Sequence, residues 1–164
     1  MNVSSLPIAP GAPGDFDFLH GSWHVAHRRL KRRLADCNEW ETFEGQSKVW
    51  PLMGGFGNVD DNVLELPGGT YRAATIRAYD PATKLWRIWW LDARHPDRID
   101  VPVVGRFENG VGTFTAEEMF EGRPIVVRFQ WFIETPDQLR WEQAFSTDGG
   151  QNWETNWVMT FFKR

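Results

Sequence analysis

One cysteine, two tyrosines and no surplus of positive charge mark what this chain of 164 residues does without. A lone Cys37 forms no internal disulfide, so the fold rests on its apolar core, and a reducing compartment fits that count. With 18 Lys and Arg against 22 Asp and Glu, the net charge of −4 argues against a nucleic acid or anionic membrane as partner, both of which call for a basic surplus. No apolar run approaches the roughly 20 residues that span a bilayer. Residues 1–14 also lack the basic start and apolar centre of a secretion signal, so a cytoplasmic location is expected. GxSxG, HExxH and Cys–His motifs are absent, as is a repeat of 20–50 residues. These absences remove hydrolase elbows, zincins, solenoids and propellers.

What is abundant is tryptophan: 10, with 12 phenylalanines. These residues stand in short runs with Val, Ile and Thr, separated by turn clusters at 51–57, 67–69, 80–84, 95–97, 109–110, 121–124, 135–137 and 148–152. Spacing near a dozen residues is that of an all-β sandwich or barrel. Alternation agrees. Ile125, Val127, Phe129, Trp131 and Ile133 share one face, as do Trp153, Thr155, Trp157, Met159 and Phe161, which is the mark of strands with one buried side. Residues 1–14, with three prolines, read as an extended arm, and 15–164 as one domain. Closing the sheet on itself removes its edges, so the expected fold is an antiparallel up-and-down β-barrel of about nine or ten strands.

Residues 22–38 are harder to read. Trp23, Ala26, Leu30, Leu34 and Cys37 make a helical stripe. A hairpin turning at Asp36–Cys37 would instead set Arg32 against Glu41, Arg29 against Glu44 and Trp23 against Trp50, and such pairs each contribute roughly 0.2–1 kcal/mol. The hairpin is the preferred reading. On a helix His20, His24 and His27 would converge on a metal; on a strand His24 and His27 face opposite ways, so no metal site is assigned. The basic run 28–33 is followed at once by Asp36, Glu39, Glu41 and Glu44 and reads as a salt-bridged hairpin. Residues 54–57, three of them glycine, read as a turn or bulge, with a short helix before them as an option. Residues 58–62 read as a surface turn or strand. The stretch from Ser146 to Trp153 fits SxDxGxxW, a hairpin turn in which the Asp binds backbone and Gly permits positive φ.

A barrel of eight or more strands either fills its middle with side chains or holds one small ligand. The leading expectation is a site for an apolar or aromatic small molecule, with an anionic group as an option. Trp90, Trp131, Trp141 and Trp157 form its walls, and Arg77, Gln143 and Asn156 its polar anchors. Arg77 shares its face with Tyr71, Ala73, Thr75 and Tyr79 and could pair with an anion. The alternatives are a cofactor-independent hydrolase or isomerase, using Glu142 or His95 as acid or base, and a filled barrel acting as an interaction module. A homodimer is left open.

The residues Phe16-Asp17-Phe18-Leu19-His20-Gly21-Ser22-Trp23 resemble the F-x-x-L-x-G-x-W opening of lipocalin-like (calycin) barrels. The stretch from Tyr79 to Trp86 and the SxDxGxxW turn look like later turns of a bacterial family of that superfamily. The resemblance runs in order from Phe16 to Phe162. It implies an antiparallel barrel with Trp23 packed near the closed end. Nitrobindin is similar at the level of fold and binds haem through a histidine late in its chain. No histidine follows His95 here, so neither a haem ligand nor another cofactor is assigned.

Overall fold

The computed structural model describes residues 6–164; the first five residues of the expected arm lie outside it. Ten antiparallel strands follow one another: β1 (Gly21–Leu30), β2 (Trp40–Leu52), β3 (Gly57–Leu66), β4 (Gly69–Asp80), β5 (Leu85–Asp92), β6 (Val103–Glu108), β7 (Val111–Phe120), β8 (Arg123–Thr135), β9 (Gln138–Ser146) and β10 (Glu154–Lys163). Each pairs with the next, and β10 returns to pair with β1, closing the barrel. Closure leaves no row of unpaired strand N–H and C=O groups.

Alternation decides what lies inside. Trp23, Val25 and His27 point inward from β1, Ile125, Val127 and Trp131 from β8, and Leu139, Trp141 and Phe145 from β9, all buried. A 3-10 turn, Asp17–Leu19, plugs one end. There Phe16 meets Trp86 and Phe107 edge-on, each at 4.9 Å between ring centres. The Trp23 indole donates to Leu19 O at 2.8 Å and the Trp86 indole to Asp15 at 2.9 Å, so the large rings sealing this end lose no hydrogen bond on burial. Residues 9–12 lie against a second 3-10 turn, Met53–Gly55, at the same end, where Ala9 N donates to Gly54 O. The opposite end is bordered by the loops 31–39 and 93–102 and is the open one.

Two local readings need correction. β1 and β2 do form a hairpin, but Arg29 lies opposite Glu41, and Trp23 opposite Ser47 rather than Trp50. The register differs by three residues because β1 stops at Leu30 and a wide loop follows, with Leu34 and Asp36 at positive φ. An odd shift exchanges the faces of a strand. It turns Trp50 outward, 38% exposed, and brings Phe43, Gly45, Ser47 and Val49 inside. Residues 58–62, read as a surface turn or strand, are part of β3, and Asn58 and Asp60 are buried. The SxDxGxxW turn forms as its residues require. Asp148 accepts from the Ser146 hydroxyl and from the amides of Gln151 and Asn152, with Gly149 and Gly150 at positive φ.

Candidate functional site

The interior is not filled. Above the aromatic plug a cavity of about 150 Å³ lies between β1, β3, β4, β5, β8, β9 and β10. A void of that size accommodates a single aromatic ring. Toward the open end a second space of about 230 Å³ shares Ile88, Trp90, Asp100, Phe129 and Gln143 with it.

Tryptophan makes the walls. Trp141 stands perpendicular to Trp157 at 5.7 Å, and Trp90 meets Trp157 edge-on at 6.4 Å. Phe129 packs on Trp141 at 4.9 Å, and Trp131 on Phe161 at 5.2 Å. These contacts hold the rings at fixed angles, so the slot between them keeps its shape without a ligand.

The floor is an ion pair. The Arg77 guanidinium lies against Phe16 and Trp131 at the boundary with the plug. One of its amino groups donates to Asp60 at 2.7 Å and the other to Asn58 at 2.8 Å. The second Asp60 oxygen accepts from Thr75 N at 2.8 Å and from the Asn62 amide. Both charges are removed from water, with side chains 4% and 5% exposed, so each needs the other. The cation that the sequence offers to an anionic ligand thus already has its carboxylate.

On the β1 side His27 stacks on Phe43 at 4.4 Å and accepts the Trp157 indole N–H at Nδ1, 3.2 Å away. Burial, aided by the charges of Arg29 and His24, pushes its pKa down to about 3. His27 is therefore neutral at ordinary pH, and with Nδ1 accepting, its proton sits on Nε2. Opposite, Gln143 donates to Asn156 Oδ1 at 2.8 Å. Asn156 is the extra residue of a bulge, since Thr155 pairs with Ala144 and Trp157 with Gln143. The bulge lets both Asn156 and Trp157, neighbours in sequence, face inward.

The outer space has charged walls. Arg33, Asp100 and Glu118 line it. Burial raises the pKa of both carboxyls, with Asp92 adding to the effect on Asp100 and Asp100 to that on Glu118. Burial, then the neighbouring Arg29, lowers that of Arg33.

Of the residues expected from the sequence, Arg77, Trp90, Trp131, Trp141, Gln143 and Trp157 line the cavity. Asn156 stands behind Gln143, fully buried. Neither acid–base candidate reaches this space. Glu142 alternates outward between Trp141 and Gln143 and pairs with Arg140, and His95 is on an exposed loop. The three early histidines do not converge, because His24 points outward to Glu44 at 2.7 Å. Among the described residues no three His, Cys, Asp or Glu side chains gather as metal ligands.

His27 and Asp60 were not singled out as part of the site. The signal for His27 was its alternation with Trp23 and Val25. For Asp60 it was the demand of a buried Arg77 for an acid, but only the β3–β4 register, which sets Asn58 opposite Arg77 and Asp60 opposite Thr75, identifies the partner.

No family model matches this chain, and no curated protein matches it either. Among solved structures it is similar to the S-type phycobiliprotein lyase CPES from Guillardia theta, at 12% identity and a TM-score of 0.58 over 91% of this chain and 90% of that one. A second, EF1p2_mFAP2b bound to DFHBI, is 12% identical, with a TM-score of 0.48 over 90% of this chain and 95% of that one. The likeness to the lyase is one of fold, a closed antiparallel β-barrel. Among the described residues no helix is long and apolar enough to cross a membrane.

Proposed function

We propose that this barrel binds a small apolar or aromatic molecule in its interior, between Trp90, Trp131, Trp141 and Trp157, with Gln143 held by Asn156 as a polar contact. The observation that carries the reading is the pair of adjoining spaces inside a closed barrel, walled by rings at fixed angles. Ligand sites are characteristically apolar hollows with a few placed polar groups, and this interior fits that description. Arg77 belongs to the floor of the site, its charge matched by Asp60, and shapes the cavity rather than serving as a counter-ion. A barrel of the same fold in a phycobiliprotein lyase is in keeping with a role toward a small molecule, although likeness of fold alone does not transfer an activity.

The test is native mass spectrometry of the purified protein against its denatured mass, followed by titration of its tryptophan fluorescence with one- and two-ring aromatic compounds. An added mass lost on denaturation, or saturable quenching abolished in a Trp141→Ala variant that remains folded, is expected. A bare protein whose fluorescence responds to none of the compounds overturns the reading.

A further inference from the structure

Two carboxyl groups lining the barrel interior have no partner among the described residues. Glu118 comes from β7, where Phe114, Ala116, Glu118 and Phe120 alternate onto the inward face, so a charged side chain stands where the strand otherwise supplies core. Across the ladder it lies opposite Ile125, a core residue. Asp100 closes the 93–102 loop onto β5. Its backbone N–H donates to Trp90 O at 3.0 Å, which fixes it beside a residue that lines both spaces, as Asp100 itself does. No hydrogen bond reaches either carboxylate. The charges they feel are mostly negative: Asp100 acts on Glu118, and Asp92 acts on Asp100 more than Arg98 does.

The other lining groups are largely balanced. Arg77 and Asp60 satisfy each other, and His27 is neutral. Asn62 donates to Asp60, and Gln46 accepts from Arg164. Gln143 spends its amide N–H on Asn156, which leaves its carbonyl oxygen as an acceptor where the two spaces adjoin. Arg33 also lines the outer space, but the acids acting on it are Glu41 and Glu154. Even with Arg33 counted, two carboxylates against one guanidinium leave one negative charge in excess. A separate feature marks the inner space as incomplete. Trp141, 6% exposed, lines it together with Asp100, and its indole N–H has no acceptor among the described residues.

Resting on the reading of the barrel as a ligand site, we infer that its ligand is an aromatic amine in its protonated form, with the ring between Trp90, Trp141 and Trp157 and the ammonium group toward Asp100, Glu118 and the Gln143 carbonyl. An ammonium brings donors and positive charge to a region that offers acceptors and negative charge. The indole faces beside it favour a cation as well. The face of the ligand ring accepts the Trp141 N–H weakly. A neutral ligand leaves two like charges uncompensated, and an anion adds a third.

Three compounds of similar size separate these cases: 2-phenylethylamine, 2-phenylethanol and 3-phenylpropanoate, which near neutral pH are a cation, a neutral molecule and an anion. Isothermal titration of the full chain in dilute buffer should show the amine binding at least tenfold more tightly than either of the others, and added salt should narrow that margin. Glu118→Gln and Asp100→Asn each remove a charge and keep the shape of the side chain. Each should lower the preference for the amine over the alcohol, and the double variant should abolish it. Both changes relieve repulsion between like charges, so the variants are expected to fold, and near-UV circular dichroism checks this. If the alcohol or the anion binds as tightly as the amine, or the preference survives in the folded double variant, the inference is wrong while the ligand-binding reading stands. If none of the three binds, both fall.

Discussion

Acidification should unfold this barrel through His27 before its carboxylates contribute much. In the unfolded chain the imidazole titrates near 6.5, whereas in the folded chain burial holds it at about 3. Between those values the unfolded state binds a proton that the folded state does not, so stability rises with pH across this window and is lost as pH falls through it. The full difference corresponds to roughly 5 kcal/mol, and about 3 kcal/mol of it is already lost at about pH 4.5. Set against a total stability of about 5–15 kcal/mol for a single domain, one side chain then accounts for a large share of acid sensitivity. The assay is urea unfolding near neutral pH and at about pH 4.5, for the wild type and for His27→Phe. The variant keeps a ring on Phe43 but cannot titrate. It also strips the Trp157 N–H of its acceptor, so its absolute stability falls, and the comparison is between pH dependences. The wild type should lose about 3 kcal/mol more than the variant over that interval. Equal losses would refute the reasoning, as would a His27 ring-proton resonance that titrates near 6.5 in the native protein.

The Arg77–Asp60 pair offers a second check, because Asp60→Asn strands a buried guanidinium and should cost about 3–5 kcal/mol by urea unfolding, while Asp60→Leu with Arg77→Met should cost far less. A single-variant cost below about 1 kcal/mol would mean that water reaches the pair and screens it. Gly45→Ala should destabilise by about 1–3 kcal/mol, since a Cβ there would lie 2.6 Å from Val63 O and 2.8 Å from His27 Nε2; an unchanged melting temperature would contradict that packing. Trp141→Ala should weaken binding of an aromatic ligand, but removing a buried tryptophan also costs about 3–5 kcal/mol, so Trp141→Phe is measured beside it, with near-UV circular dichroism as the check on folding. At the open end Asp148→Ala should release the 147–153 turn, read as faster hydrogen exchange at the Gln151 and Asn152 amides; unchanged rates would show the glycines alone suffice to hold it.

Much of the architecture is local in origin, and for that reason legible in the sequence. Alternation along β8, turn residues at regular spacing and the SxDxGxxW turn are each settled within a few residues of chain, which was enough to call an antiparallel barrel of nine or ten strands with tryptophans inside. Alternation likewise put Trp131, Trp141 and Gln143 on inward faces. It could not put Asn156 and Trp157 on the same face, because strict period two sends neighbours apart; that took the bulge opposite Ala144 and Gln143. Nor could it find the β1–β2 register. Tight-turn geometry was the natural choice for 31–39, and a wide loop displaced every pair by three.

The sequence by itself determined the class of the fold and the aromatic character of its interior, since both follow from the period of the apolar residues and the supply of large rings. Only the tertiary structure decided how charge and protons are distributed in the cavity. Asp60 and Arg77 are 17 residues apart, and Trp157 and His27 are 130 apart. Whether a buried arginine is open to a ligand or already neutralised, and which nitrogen of a buried histidine carries the proton, depends on partners that long-range strand pairing brings within 3.2 Å or less. Hydrogen bonds act at such distances and carry no trace in local spacing, so closure of the barrel had to be known before the site could be.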